Sequence, residues 1–477
     1  MNKEEIPSII FYDQDFVDLY DRSWVWIDEL WKQGLVLDGK PVSATYISHE
    51  GQTTVNLFDN CLSSLFLGYS NQVYPPFEAI DYFYYKQEED GAIRSDYSLE
   101  DGYPVFTEDN PEGVCLPLLP YVEYFFYHKT GNKKRLKEVV PFLEKYFDWL
   151  KAKFQKENGL FSVPVSACLT GGVPRDEAVY QLDFNTVVAI NALFFSMIGD
   201  ILNDKELSFR YKKLYFILKT RINSLMWDPE TSFYYDLDKE EKRIPLKMIS
   251  AYWTLLAEIP NDEKAALMVE KLKDPACFGT ENPFPNVSAD SPCFREDAYN
   301  LCGAVVPFNT YFVVKGLEKY GERVFARECA IRNIYFILDT LNPDEDKQGD
   351  TWEAYLPSRE GFPSGAEDNP FFPRRKFLPQ LCLMTITLMI EDVIGLDISL
   401  PRKTVNWTVP SLEVMGIERL SLKRNFISIM SSKNTRGWEI RLESEKLYYF
   451  TIEIIDEDKK KTLPIPSGKC SMLIDKL

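Results

Sequence analysis

Histidine is nearly absent from this chain: 477 residues contain two, His49 and His128. That scarcity excludes a histidine-rich metal centre, and a serine–histidine–aspartate relay would have to run through His49 alone. His128, in Tyr127-His128-Lys129-Thr130-Gly131, sits where a helix ends and reads as a partner of the helix dipole. Basic residues are also in the minority, 54 Lys and Arg against 73 Asp and Glu, and a net charge of −19 repels a phosphate backbone. With no Lys/Arg cluster interleaved with aromatics, nucleic acid is not an expected partner. The nine cysteines form no CxxC pair, and an odd number cannot all pair within the chain, so they read as reduced, buried small hydrophobes. Met1-Asn2-Lys3-Glu4-Glu5-Ile6 has none of the features of a signal peptide, and no apolar run reaches the length of a membrane span. The expectation is a soluble, cytoplasmic protein without a bound cofactor, in which any proton transfer falls to carboxylates.

Aromatic residues, by contrast, are plentiful at 14%. Tyr and Trp combine a flat apolar face with a polar edge, which suits carbohydrate as well as core packing. Apolar periodicity together with stop signals predicts twelve helices, at 15–34, 58–69, 77–88, 117–130, 133–155, 182–203, 206–226, 247–257, 261–273, 308–320, 322–341 and 376–394. The connections alternate between short turns, such as Thr130-Gly131-Asn132-Lys133 and Tyr320-Gly321-Glu322, and long loops at 35–57, 89–116, 156–181, 227–246, 274–307 and 342–375. Six hairpins stacked side by side would put every short turn at one end and every long loop at the other. Closed on themselves they form an (α/α)6 barrel with its site at the long-loop end. After Gly395 the pattern becomes alternating, as in Trp438-Glu439-Ile440-Arg441-Leu442 and Phe450-Thr451-Ile452-Glu453-Ile454. The expected organisation is therefore a barrel over 1–395 and a small antiparallel β-sandwich over 396–477.

The long loops collect carboxylates: Asp96, Glu100, Asp101, Asp109 and Glu112 in the second, Asp176, Glu177 and Asp183 around the third, Asp290, Glu296 and Asp297 in the fifth, Asp350, Glu353 and Asp368 in the sixth. Glu353 stands out because it is flanked by Trp352 and Tyr355 and followed by Pro357, a fixed and partly apolar setting that suits a carboxylate working near a sugar face.

Trp352-Glu353-Ala354-Tyr355-Leu356-Pro357 resembles the W-E-N-Y-x-P motif of the trehalase-like glycosidases grouped around glycoside hydrolase family 63. Phe58-Asp59-Asn60 is similar to their W-D-T, and Pro285-Asn286-Val287-Ser288-Ala289-Asp290 to their P-S-L-S-A-D. Gly303-Ala304-Val305-Val306-Pro307-Phe308-Asn309-Thr310-Tyr311, followed by Lys315-Gly316-Leu317-Glu318-Lys319-Tyr320-Gly321, resembles their G-x-V-W-P-P-x-N-Y and K-G-L-x-x-Y-G. The order and spacing of these segments, from about residue 50 onward, carry the resemblance. It implies the (α/α)6 fold, an inverting hydrolysis of an α-linked glycoside or oligosaccharide, Glu353 as general base and Asp59 as a sugar contact. Phe58, Trp352, Tyr355, Arg175, Glu177 and Asp290 are implied as further substrate-binding residues.

The chain departs from the family where its general acid belongs. In place of G-M-D-N-x-P-R stands Thr170-Gly171-Gly172-Val173-Pro174-Arg175, without the Asp. Asp176, which follows Pro174-Arg175, is taken as the acid, with Glu177 and Asp183 as the other candidates. The G-W-S-G stretch before the last helix is replaced by Phe372-Pro373-Arg374-Arg375-Lys376. A second reading, a carbohydrate-binding protein that has lost its acid, follows from the same departure. A polysaccharide lyase on the same toroid is a third, and it leaves the setting of Glu353 unexplained.

Overall fold

The computed structural model describes residues 6–473 except positions 38, 71, 169–170, 343–348, 364–370, 423–424, 436 and 466. Asp368 lies outside the described residues. The twelve expected helices are α1 (Gln14–Leu30), α2 (Leu57–Leu67), α3 (Glu78–Tyr85), α4 (Leu119–Thr130), α5 (Lys133–Phe154), α6 (Leu182–Leu202), α7 (Lys205–Arg221), α8 (Trp253–Leu256), α9 (Asp262–Lys273), α10 (Pro307–Lys319), α11 (Arg323–Leu341) and α12 (Leu378–Cys382). The last continues in π geometry through Leu383–Val393.

Helices α2, α4, α6, α8, α10 and α12 each touch the next, and α12 touches α2, so the even-numbered helices close a ring. Composition explains which helices go inside. Most of α6 is apolar and buried around its whole circumference, and its Asn191 is satisfied internally, accepting from Tyr121 N (3.2 Å) and donating to Val187 O (2.8 Å). By length and apolarity α6 alone among the described helices could cross a membrane, which the sequence reading overlooked. Its most apolar window is 72% buried within the protein, the mark of an inner-ring helix. In α5 one face is buried, including Leu136, Val139, Leu143, Tyr146, Phe147, Leu150 and Phe154, and the opposite face is mostly charged, as an outer helix requires.

The short connections are built from caps. Gly131 ends α4 in the left-handed conformation and Asn132 caps α5; Asn203 and Asp204 do the same between α6 and α7. Every long connection leads into the N-terminus of an inner helix, so six positive helix ends face the long-loop mouth.

The first helix is shorter than its periodicity suggests, as is the eighth, whose expected 247–257 is α-helical only over Trp253–Leu256. The expected 15–34 stops at Leu30, and Trp31–Leu37 pairs antiparallel with Lys40–Ile47. Gly34, at φ 111°, lies outside the helical region, and Val36, Val42, Thr45 and Ile47 are β-branched.

The C-terminal region forms two sheets. One runs Ser8–Ile10, Met415–Leu422, Asn425–Asn434, Gly437–Ser444 and Gly468–Leu473, the other Lys459–Ile465, Tyr448–Ile454, Thr404–Val409 and Leu396–Ser399. Two features were not foreseen: the N-terminal strand joins the first sheet (Ile9 opposite Ile417), and Tyr448–Ile454 pairs parallel with Thr404–Val409. The sheets are tied to the closed end of the barrel by Trp407 Nε1 donating to Ile394 O (2.7 Å) and by His128 Nδ1 meeting Ser399 Oγ at 2.8 Å. Burial, reinforced by Arg402, pushes the His128 imidazole down to about 4. It is therefore neutral at pH 7 and fastens the second domain instead of serving as a cation on the helix dipole.

Candidate active site

At the long-loop end a cavity of about 940 Å³ opens among five of the six long connections. Asp59, Asp96, Asp109, Asp176 and Glu353 lie on its wall together with Arg374, Gln380 and His49. Among the described residues no group of three or more His, Cys, Asp or Glu side chains is placed to hold a metal ion.

Asp59 occupies the first turn of α2. The cap of that helix is Asn56, whose side chain accepts from Asp59 N (3.0 Å), so the Asp59 carboxyl is left to face the cavity. Its nearest charged partner is Arg374, with Nη1 at 3.8 Å from Oδ2. Burial raises the Asp59 carboxyl to about 7; Glu353 and Asp96 push the same way and Arg374 opposes them. Asp96 is held more firmly, on a strand paired with Thr54–Asn56, and accepts from Thr54 Oγ1 and Asn56 Nδ2, each at 3.1 Å.

Glu353 is surrounded by donors. Arg374 gives it Nε (2.8 Å) and backbone N (3.1 Å) on Oε2 and Nη2 (2.5 Å) on Oε1, and Gln380 Nε2 reaches Oε1 at 3.3 Å. A carboxylate has about four lone-pair positions, and here each has a donor. The Arg374 guanidinium rests against the buried Phe377 ring at 3.5 Å, which makes it part of the cavity floor. Arg374 and Gln380 were not foreseen in the sequence. The only signal was the departure Phe372-Pro373-Arg374-Arg375-Lys376 from the family pattern.

The loop that bears the acid in the family is glycine-lined here. Gly171 has φ +60°, and a Cβ on it would stand 2.7 Å from Leu301 Cδ1; a Cβ on Gly172 would stand 2.7 Å from Asn300 Cβ. The loop is pressed flush against residues 300–301, with Gly172 N donating to Asn300 O at 3.1 Å, and has no space for a side chain. Asp176 lies on the exposed turn beyond and reaches the cavity wall.

Other expected site residues lie elsewhere. Arg175 is buried and clamped between Asp183 (2.7 and 3.1 Å) and Asp236 (2.8 and 3.0 Å), which turns it away from any substrate and engages Asp183 as well. Glu177 is exposed and off the cavity wall. Asp290 is ion-paired with Lys247 and accepts from Ser288 Oγ (2.6 Å), away from the cavity. Phe58 is fully buried, edge-on to Phe308, because the residue before Asp59 on α2 points into the core. Tyr355 is buried with its hydroxyl accepting from Trp352 N (3.0 Å), and Trp352 stacks on Phe362 at 3.8 Å. Trp352 pairs with Arg375 and Glu353 with Arg374; side chains alternate across such a pair, so Trp352 faces a neighbouring groove when Glu353 faces the cavity.

A ring of six inner helices under an acidic, loop-built cavity is the architecture of an (α/α)6 glycosidase. A model of the trehalase C-terminal domain matches residues 395–477, and a model of the mannosylglycerate hydrolase MGH1-like glycoside hydrolase domain matches residues 169–368. An uncharacterized protein of Borreliella burgdorferi is 47% identical over 477 residues, the whole of both chains. A probable trehalase of Saccharomyces cerevisiae is 26% identical over 262 residues, 50% of this chain and 32% of that one. The solved family 63 mannosylglycerate hydrolase of Thermus thermophilus, in complex with glucose, superposes with a TM-score of 0.59 at 15% identity, covering 77% of this chain and 99% of that chain. The chain belongs to the trehalase-like glycosidases related to glycoside hydrolase family 63.

Proposed function

We propose that the protein hydrolyses an α-linked glycoside with inversion, using Glu353 as the base that takes a proton from the attacking water. The observation that carries this reading is the presence of Glu353 on one cavity wall with further carboxyls, Asp59 and Asp176 among them, that can face it across a bound sugar. Inversion needs an acid and a base about 6.5–9.5 Å apart, leaving room for water. For the acid the sequence nominates Asp176, and Asp59 also qualifies by position. The names of the relatives point to glucosides and mannosides as the first substrates to try. Aryl and natural α-glucosides and α-mannosides incubated with the protein, with the anomer of the released sugar followed by NMR, test the reading. An inverted product supports it, and a retained anomer overturns the mechanism.

A second reading, sugar binding without turnover, is favoured by two observations. The acid-bearing loop has no side chain at Gly171 and Gly172, and every lone pair of Glu353 is already engaged. Saturable binding of a sugar in calorimetry, with no product from any of the glycosides, would establish it.

A further inference from the structure

Glu353 cannot accept a proton from water while Arg374 holds both its oxygens. The same guanidinium lies 3.8 Å from Asp59, a carboxyl on the cavity wall whose side chain has no hydrogen-bond partner among the described residues. One cation thus spans two carboxyls. Those carboxyls cannot be more than about 9 Å apart, the limit set by the two contacts and the width of a guanidinium fork, which is compatible with the inverting geometry of about 6.5–9.5 Å.

We propose that Asp59 is the proton donor of this site and that Arg374 is the counter-charge the two carboxyls share, moving from Glu353 to Asp59 as the reaction proceeds. The inference rests on the hydrolase reading above. In the resting site Glu353 accepts four donors, as an ionised carboxylate does, and one guanidinium balances one negative charge. Asp59 is then the member of the pair that keeps its proton, consistent with its burial and with the anionic neighbours Glu353 and Asp96. When the glycosidic C–O bond breaks, the Asp59 proton goes to the departing oxygen and Asp59 becomes anionic. The guanidinium then moves to the new charge and frees the Glu353 oxygens, and a water molecule forms the new C–O bond and gives its proton to Glu353. The pair begins as Glu353 carboxylate, Arg374 cation and Asp59 acid, and ends as Glu353 acid, Arg374 cation and Asp59 carboxylate. After product leaves, Glu353 gives its proton to solvent, Asp59 takes one up from solvent, and Arg374 returns to Glu353. Arg374 is a positioning residue in this scheme, and Asp59 is the catalytic one.

The geometry also accounts for the glycine-lined loop. The segment from Gly171 to Arg175 presents no carboxyl to the cavity, and Asp176 beyond it lies on an exposed turn.

The experiment compares two leaving groups on the sugar that the wild type hydrolyses, an alkyl glycoside and the matching α-glycosyl fluoride, which departs as an anion without being protonated and so itself supplies the new charge that draws Arg374 off Glu353. Asp59→Asn is expected to lower kcat/KM on the alkyl glycoside by about 10²–10⁴-fold and on the fluoride by less than about tenfold, the retained fluoride activity also reporting a folded protein. Asp176→Asn is expected to affect both substrates alike. Arg374→Lys, which keeps the charge, is expected to retain more alkyl-glycoside activity than Arg374→Gln. Equal losses on both substrates in Asp59→Asn, or a loss confined to the alkyl glycoside in Asp176→Asn, overturn the proposal. A wild type that turns over neither substrate sinks the hydrolase reading itself, a result distinct from an active wild type in which Asp59→Asn ignores the leaving group.

Discussion

Glu353 and Arg374 are joined through both backbone and side chains: Glu353 N donates to Arg374 O at 2.9 Å, and on the cavity face of that pairing the Arg374 guanidinium meets the Glu353 carboxylate, with Nη2 to Oε1 at 2.5 Å and Nε to Oε2 at 2.8 Å. Twenty-one residues separate them in sequence, and the backbone pairing brings both into the last long loop beside α12. The lining of this part of the cavity therefore depends on one loop closing correctly against its own other end.

Replacing Glu353 by Gln keeps the shape and removes the proton acceptor. Hydrolysis is expected to fall by about 10²–10⁴-fold while sugar affinity stays within a few-fold of wild type, read as kcat in steady-state assays and Kd in calorimetry. A variant that loses binding in proportion to kcat would assign Glu353 to substrate holding.

The pH dependence follows from Asp59. Its carboxyl is raised to about 7 in the fold, so a reaction that needs its proton is expected to decline as pH rises through about 7. The groups acting on it are Glu353 and Asp96, which raise it, and Arg374, which lowers it; the nearby Cys61 and Cys115 thiols are themselves pushed well up by burial and stay neutral there. Removing the Arg374 charge takes away the lowering influence, so the alkaline limb of kcat/KM is expected to move to higher pH in Arg374→Gln and to stay closer to wild type in Arg374→Lys. An alkaline limb that does not move between the two variants would separate Asp59 from the titration.

How far the sequence revealed this arrangement depends on the range of the interactions. The twelve helices were legible because α5, α6 and α10 carry their burial pattern in local apolar spacing, and the caps Asn132, Asn203 and Asp204 mark their ends. Trp31–Leu37 was misread because a strand in a two-stranded hairpin is defined by its partner, Lys40–Ile47, as much as by its own residues. Ser8–Ile10 carries no local sign that it will lie against residues 416–418. Glu353 and Asp59, both on the cavity wall, were singled out through motif likeness. Arg175 was placed on the substrate by the same likeness, but its guanidinium is consumed by Asp183 and Asp236, the second of which is 61 residues away. Pairings at that distance have no periodicity to betray them.

Arg175 sets up a stability prediction. Its fully buried guanidinium neutralises Asp183 and Asp236, and Asp236 Oδ1 also accepts from Leu182 N (2.8 Å) at the start of α6. Arg175→Met strands two carboxylates in the interior and is expected to cost about 3–5 kcal/mol, seen as a lower midpoint in urea unfolding. Arg175→Lys keeps the charge but loses the fork that serves both partners, so it falls between the two. A midpoint for Arg175→Met equal to that of wild type would show that the clamp contributes nothing to stability.

The glycine-lined loop gives the last prediction. Gly171 sits at φ +60°, where any other L-residue is strained by about 1–2 kcal/mol, and its missing Cβ would stand within 2.7–3.2 Å of Leu301 Cδ1, Cγ and Cβ. Because the contact involves the root of the Leu301 side chain as well as its tip, a rotamer change at Leu301 does not relieve it. Leu301 is itself at φ 60°, which limits how far its backbone can retreat. Gly171→Ala is therefore expected to lower stability by about 1–3 kcal/mol, the strain and the overlap together. In Gly171→Ala/Leu301→Ala the contacts to Cδ1 and Cγ are gone while the 3.2 Å contact to Cβ and the strain remain, so part of the loss should return, visible as partial recovery of the thermal midpoint once the cost of Leu301→Ala alone is subtracted in a double-mutant cycle. Gly171→Asp, which places a carboxyl on the loop that carries the acid in related glycosidases, is expected to destabilise by at least as much as Gly171→Ala without raising kcat, because Leu301 stands where the new side chain would begin. A rise in kcat with Gly171→Asp would show that the loop still accepts its acid and that Asp59 is dispensable as the donor.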